Sequence, residues 1–338
     1  MKSAPMNRFF YLFFLLVLLF ACNPNAEERC RLAPETKIEL KFSSLEDSIP
    51  AIRTKQELVQ FFSHHATLRD VFFGRRNFPS DSVFINYYFK KFTNPALDTV
   101  LMDVKKVFND GASLKEEFSV AFSNIKHYYP EFRIPRVETV ITGLESDLFV
   151  SDTLVIVGLD FFLGKKGRYK PDMHEYILRR YEKNFIVPSA LLLYGIDGRF
   201  NSVNLSDRTV LAEMIAYGKA YYFAKHMLPC SPDSILIGYT SKEIEGAKAN
   251  QDMIWKRLVD DEALFSTSQQ MKQRYIGERP KTYEVGNECP GRIATWVGWQ
   301  MVNEYAKQNT SISLPELMKI TDAQKIFKGS KYSVKLNQ

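Results

Sequence analysis

Asp207-Arg-Thr-Val-Leu-Ala-Glu-Met-Ile-Ala-Tyr-Gly-Lys-Ala-Tyr-Tyr-Phe-Ala-Lys-His-Met227 carries the strongest helical period in the chain. Val210, Leu211, Met214, Ile215, Gly218, Tyr221 and Tyr222 recur at spacings of three and four, which puts them on one face of a helix. Ser206 stands just ahead of it with a side chain suited to an N-cap.

The same period extends outward in both directions. Upstream, residues 55–129 read as helical. Leu114, Phe118, Ala121, Phe122, Ile125 and Tyr129 share a face, and Pro130 stops the run. Shorter helical stretches are expected at Asp172–Tyr181 and Pro188–Leu193, beyond a basic turn at Gly164–Gly167. Downstream, helices are expected at Lys242–Leu264, Arg292–Lys307 and Leu314–Ile320. Strand signals are few. Thr36–Phe42 alternates apolar with polar, and Val137–Ile141 and Thr153–Gly158 are short and β-branched. There is no internal repeat or low-complexity tract. The pattern predicts an α+β fold, a mainly helical domain with a small sheet.

The N-terminus reads differently. Lys2 and Arg8 precede an unbroken apolar run, Phe9–Phe20. That run is shorter than the roughly 20 residues a membrane-spanning helix needs, and it suits the apolar segment of a cleavable export signal. It ends in Leu19-Phe20-Ala21-Cys22, which resembles a lipobox. The expectation is a signal peptide over residues 1–21, a lipid on Cys22, and a polar tether over 22–35 that includes Glu27 and Glu28. A single domain then fills 36–338. More than one acyl chain makes such an anchor stable.

Removing residues 1–21 takes away Lys2 and Arg8, so the formal charge falls by two, from +6 to +4. That mild, dispersed excess argues against nucleic acid as a partner, which wants a clustered basic face. Aromatic residues make up 14% of the chain, a composition for a packed core rather than disorder. With Cys22 lipidated, Cys30, Cys230 and Cys289 remain, enough for at most one internal disulfide in an oxidising compartment. Which pair forms it is open.

Chemistry is sparse. His174-Glu175 would open a zinc-binding H-E-x-x-H helix, but the fifth residue is Leu178. His64 and His65 are adjacent and cannot clasp one ion from a helix. Asp260-Asp261-Glu262 reads as a solvated helix face. Asp160 and Glu145 lie near strand ends without a recognisable partner. No nucleophile elbow, Walker loop or dinucleotide fingerprint is present. Neither a cofactor nor a metal is expected.

Several stretches together resemble the GldB family, gliding-motility lipoproteins of the Bacteroidetes. They are Ile156–Gly164 (IVGLDFFLG), Leu211–Lys219 (LAEMIAYGK), Gly238-Tyr239-Thr240, Pro290–Val302 (PGRIATWVGWQMV) and Ser330-Lys331-Tyr332. The resemblance runs from the lipobox to the C-terminus. It implies an envelope protein held in the outer membrane by its lipid, facing the periplasm. Its expected partners are other components of the gliding and type IX secretion machinery. The family is in turn distantly similar to zincin-type zinc peptidases. That similarity implies that Ala212-Glu213-Met214-Ile215-Ala216 lies where H-E-x-x-H would lie. The Glu survives and both imidazole positions are Ala. Glu213 then has no metal to act with, and a hydrogen-bonding role for its carboxylate is expected.

Two main functional readings follow, with a third behind them. One is a non-catalytic lipoprotein supporting that machinery. The other is an envelope hydrolase on a zincin-like scaffold, against which the missing ligands count. A lipid-anchored module binding a small ligand or peptidoglycan is a third. Trp296 and Trp299, one helical turn apart, are expected in the core, the rival being a docking patch for another envelope component.

Overall fold

The computed structural model describes residues 38–332. The expectations for the export signal, Cys22, Cys30 and the tether lie outside the described residues.

The sheet has four strands in the order β1-β2-β4-β3: β1 is Phe42–Ser44, β2 Arg136–Val140, β3 Leu148–Val150 and β4 Leu154–Gly158. β1, β2 and β4 run parallel, and β3 is an antiparallel edge. β4 is buried throughout, as its continuous Leu-Val-Ile-Val run requires of a strand covered on both faces. The first strand falls later than the alternation of Thr36–Phe42 suggests. Its partner explains the shift among the described residues: β2 begins at Arg136 and Phe42 pairs with Val137, so residues 38–40 lie beyond the start of β2.

Helices supply the rest of the body. α1 (Lys55–His64), α2 (Asp81–Phe92), α3 (Ala96–Phe108) and α4 (Ala112–Tyr128) fill the crossover from β1 to β2. α5 (Ile186–Ile196) follows the sheet and is longer than Pro188–Leu193. Pro188 sits in its first turn, where the missing N–H has no partner to lose. α6 (Val210–Met227) is the centre of the molecule and packs against α4, α5, α10 (Ile293–Gln308) and α12 (Ala323–Ser330). The expected helix Lys242–Leu264 is two helices, α7 (Ser241–Ala249) and α8 (Gln251–Asp260). Asn250 breaks it: both its backbone N–H and its side-chain amide donate to the Gly246 carbonyl, at 3.1 and 2.8 Å. α9 (Gln269–Tyr275) and α11 (Leu314–Met318) are short, and only Glu175–Leu178 of the expected 172–181 helix forms. One cluster of buried apolar side chains joins these elements, from Leu40 to Tyr332. Among the described residues no helix is long and apolar enough to cross a membrane. Cys230 is disulfide-bonded and Cys289 carries a free thiol. Burial pushes that thiol up to about 12, so it stays protonated.

Candidate functional site

α6 starts three residues later than the sequence pattern suggests. Ser206 does not cap it. Thr209 does, its hydroxyl accepting from Ala212 N at 3.1 Å, while Asp207 accepts from the Thr209 N–H and hydroxyl. The next amides are also taken. Val210 N donates to Ser266 O and Leu211 N to Leu264 O, so a crossing segment finishes the helix start.

Two faces of α6 do different work. On one, α6 crosses α10 at backbone contact. A Cβ on Gly218 would fall 2.5 Å from the carbonyl carbon of Gly298, and one on Gly298 would fall 2.5 Å from that of Met214. Only glycines permit that approach. Trp296 and Trp299 are buried beside the crossing, 1% and 2% exposed, so neither indole is offered to a partner. Trp299 lies against Tyr221, with ring centroids 5.4 Å apart, and its buried N–H finds no acceptor among the described residues.

On the other face stand Ala212, Glu213 and Ala216. They line a cavity of about 250 Å³ together with Val203, Leu205, Ile215 and Ile320. Glu213 is half-buried and ion-paired with Lys272 of α9. Ala212 and Ala216 offer no donor atom to a metal, so the residues present do not fit the zinc site that the zincin similarity would imply. Further along this face Lys219 is fully buried. Its ammonium donates to three backbone carbonyls, of Ser202 at 2.7 Å, Met318 at 3.1 Å and Ile320 at 2.8 Å. Burial lowers its pKa to about 8, so it remains charged at neutral pH. Sequence reasoning gave Lys219 and Lys272 no role. The signal for Lys219 was present, a lone lysine next to Gly218 in the buried stripe. Lys272 had none, because its partner lies 59 residues away.

Two of the stretches singled out in the sequence meet at the start of α10. Arg292 occupies the left-handed region at φ 60° and caps that helix. Its guanidinium lies over the Tyr239 ring, donates to Ile237 O at 2.9 Å, and faces Glu278, which Arg180 also pairs. The Tyr239 hydroxyl donates to Gly291 O at 2.6 Å. Gly238-Tyr239 and Pro290-Gly291-Arg292 are thus two sides of one packed joint. In Ser330-Lys331-Tyr332 the Tyr332 ring lies on Trp255.

The other candidates are structural. Asp160 does have partners: its buried carboxylate accepts from Thr142 N at 3.0 Å, from the Thr142 hydroxyl, and from Leu144 N at 2.7 Å. Burial still raises its pKa. Glu145 is likewise paired, with Lys91 and the Tyr87 hydroxyl. His174 is exposed and stacks on Tyr176. Asp260 and Asp261 pair with Lys256 and Arg257 on α8. Among the described residues no group of three His, Cys, Asp or Glu could hold a metal ion.

The molecule is therefore an α+β protein built on a central helix, with a small cavity against one face of that helix. A family model described as gliding motility protein GldB matches residues 28–334, and the chain belongs to that family. Among curated proteins, and among solved structures, nothing matches.

Proposed function

We propose that this protein is a non-catalytic envelope lipoprotein that supports assembly or stability of the gliding and type IX secretion machinery. Membership of a gliding-motility family supports the process. The observation that carries the non-catalytic part is the Glu213–Lys272 ion pair. The one carboxylate left of a zincin-like motif is held by an ammonium, between two alanines that cannot bind metal. The scaffold is read as zincin-like in descent and 36–338 as one domain. Cys22 anchors it by lipid in the outer membrane, facing the periplasm, with other gliding and secretion components as partners.

The test is deletion in the native bacterium followed by complementation. Deletion abolishes colony spreading and bulk protein secretion, and a Glu213→Gln copy restores both. A Glu213→Gln protein that accumulates normally but restores neither would favour the hydrolase instead. The anchor is tested separately. Cys22→Ser loses a metabolically incorporated fatty-acid analogue and moves to the soluble fraction, and label retained on the variant defeats the assignment.

A further inference from the structure

The cavity on α6 has apolar walls, and its charged lining residues are Arg208, Lys219 and Lys272 against Asp207 and Glu213. Its walls are Ala212, Ile215, Ala216 and Ile320, and its rim is Val203 and Leu205, 41% and 84% exposed. At about 250 Å³ it is smaller than the roughly 300–1,000 Å³ of sites that enclose a whole small molecule. It has room for one apolar side chain, with the rest of the ligand outside.

The charges around it are unevenly used. Asp207 is tied to Thr209, and all three Lys219 donors are taken by carbonyls. Lys272 satisfies Glu213 with one N–H, and an ammonium has two more. Arg208, which lines the cavity, makes no hydrogen bond or ion pair among the described residues. The first amides of α6 are occupied, so the helix terminus adds no anion site. What stays open is a guanidinium fork and part of an ammonium, beside an apolar hole. A guanidinium fork matches the two oxygens of a carboxylate.

We propose that this cavity binds the free C-terminus of a peptide chain. The last, apolar side chain fills the space left by Ala212 and Ala216, and the terminal carboxylate accepts from Arg208 and Lys272. The inference extends the non-catalytic reading, since the peptide is held and not cut.

The test uses full-length protein in detergent and two fluorescein-labelled peptides ending in Val-Leu, one with a free carboxylate and one amidated. Anisotropy should show saturable binding of the acid, with the amide at least about tenfold weaker, as expected for the loss of one charge-assisted contact. Arg208→Ala changes an exposed residue and should weaken the acid about tenfold while leaving the melt unchanged. Ala216→Leu fills the hole and should abolish binding. No saturable binding, equal binding of acid and amide, or full binding by a folded Ala216→Leu protein overturns the proposal. Peptide recovered intact by mass spectrometry supports it. A shortened peptide defeats the non-catalytic function while leaving the site in place, whereas absent binding leaves that function standing.

Discussion

Gly298→Ala should be among the most damaging single-methyl changes in this protein. The added Cβ would fall 2.5 Å from the Met214 carbonyl carbon, nearer still to its oxygen, and 3.0 Å from the Met214 Cα. Ordinary contact between carbons is about 3.5–4.0 Å. The obstacle is backbone, so no side chain can rotate away, and α6 and α10 must part by about 1 Å. A gap of that size forfeits roughly a quarter to a half of each contact across it. Overpacking of this kind costs about 1–3 kcal/mol, occasionally more. A backbone-to-backbone clash belongs at the upper end, and the better helix propensity of alanine returns about 1 kcal/mol. The net expectation is a loss of about 2 kcal/mol. Gly246→Ala is the control. It lies in α7 with open space where its Cβ would go, so it should gain about 0.5–1 kcal/mol. Urea denaturation of the purified proteins reads both. If Gly298→Ala unfolds within about 0.5 kcal/mol of wild type, the close crossing of α6 and α10 is wrong.

Trp296→Ala and Trp299→Ala should each lose about 3–5 kcal/mol in the same assay, because both indoles are buried; a normally stable variant that cannot glide would mark that indole as an interface residue. Lys219→Met should destabilise by about 2 kcal/mol or more, since it strips a donor from the Ser202 and Ile320 carbonyls while Met318 O keeps the Ser202 N–H; unchanged stability would show that water replaces the ammonium. Burial raises the pKa of Glu117 from 4.5 to about 7. Between those values the unfolded chain has released the proton that the folded chain keeps, so stability should fall by about 1–3 kcal/mol as pH rises through that window. Glu117→Gln should flatten the slope in pH-dependent denaturation, and an equal slope in both proteins would refute the assignment.

The sequence made elements legible where a periodic stripe was long, and obscured them where a partner set the limits. The stripe of α6 was readable because its apolar residues face the core. Its start was not, because Val210 and Leu211 hand their amides to Ser266 and Leu264, far along the chain. β1 was misplaced for the same reason: alternation marks a strand's faces but not where its neighbour begins. Asn250 could have been read as a breaker, since its side chain competes for a helical carbonyl. On the candidate site, Ala212, Glu213 and Ala216 were singled out by the similarity to zinc peptidases, not by any pattern of their own. The cavity they line needed the 202–208 loop and Ile320, and no local pattern brings those together.

The Glu213–Lys272 pair deserves a reason beyond stability. A half-exposed ion pair is worth about 0–1 kcal/mol, and Glu213 has 37% of its side chain open to solvent. A protein that needed only a soluble helix face would gain as much from many other residues there. What the pair does achieve is placement. Glu213 fixes the Lys272 ammonium, whose side chain is otherwise mostly buried, at the mouth of the cavity with donors to spare. Lys219, one turn beyond Ala216, ties down the backbone at Ser202 and Ile320, next to the rim and wall of the same cavity. One face of α6 thus carries a small apolar hollow and Lys219, and α9 brings Lys272 to the same edge. That arrangement suits recognition of an anionic end group, because the Glu213 carboxylate is already held by an ammonium while Lys272 keeps donors to spare.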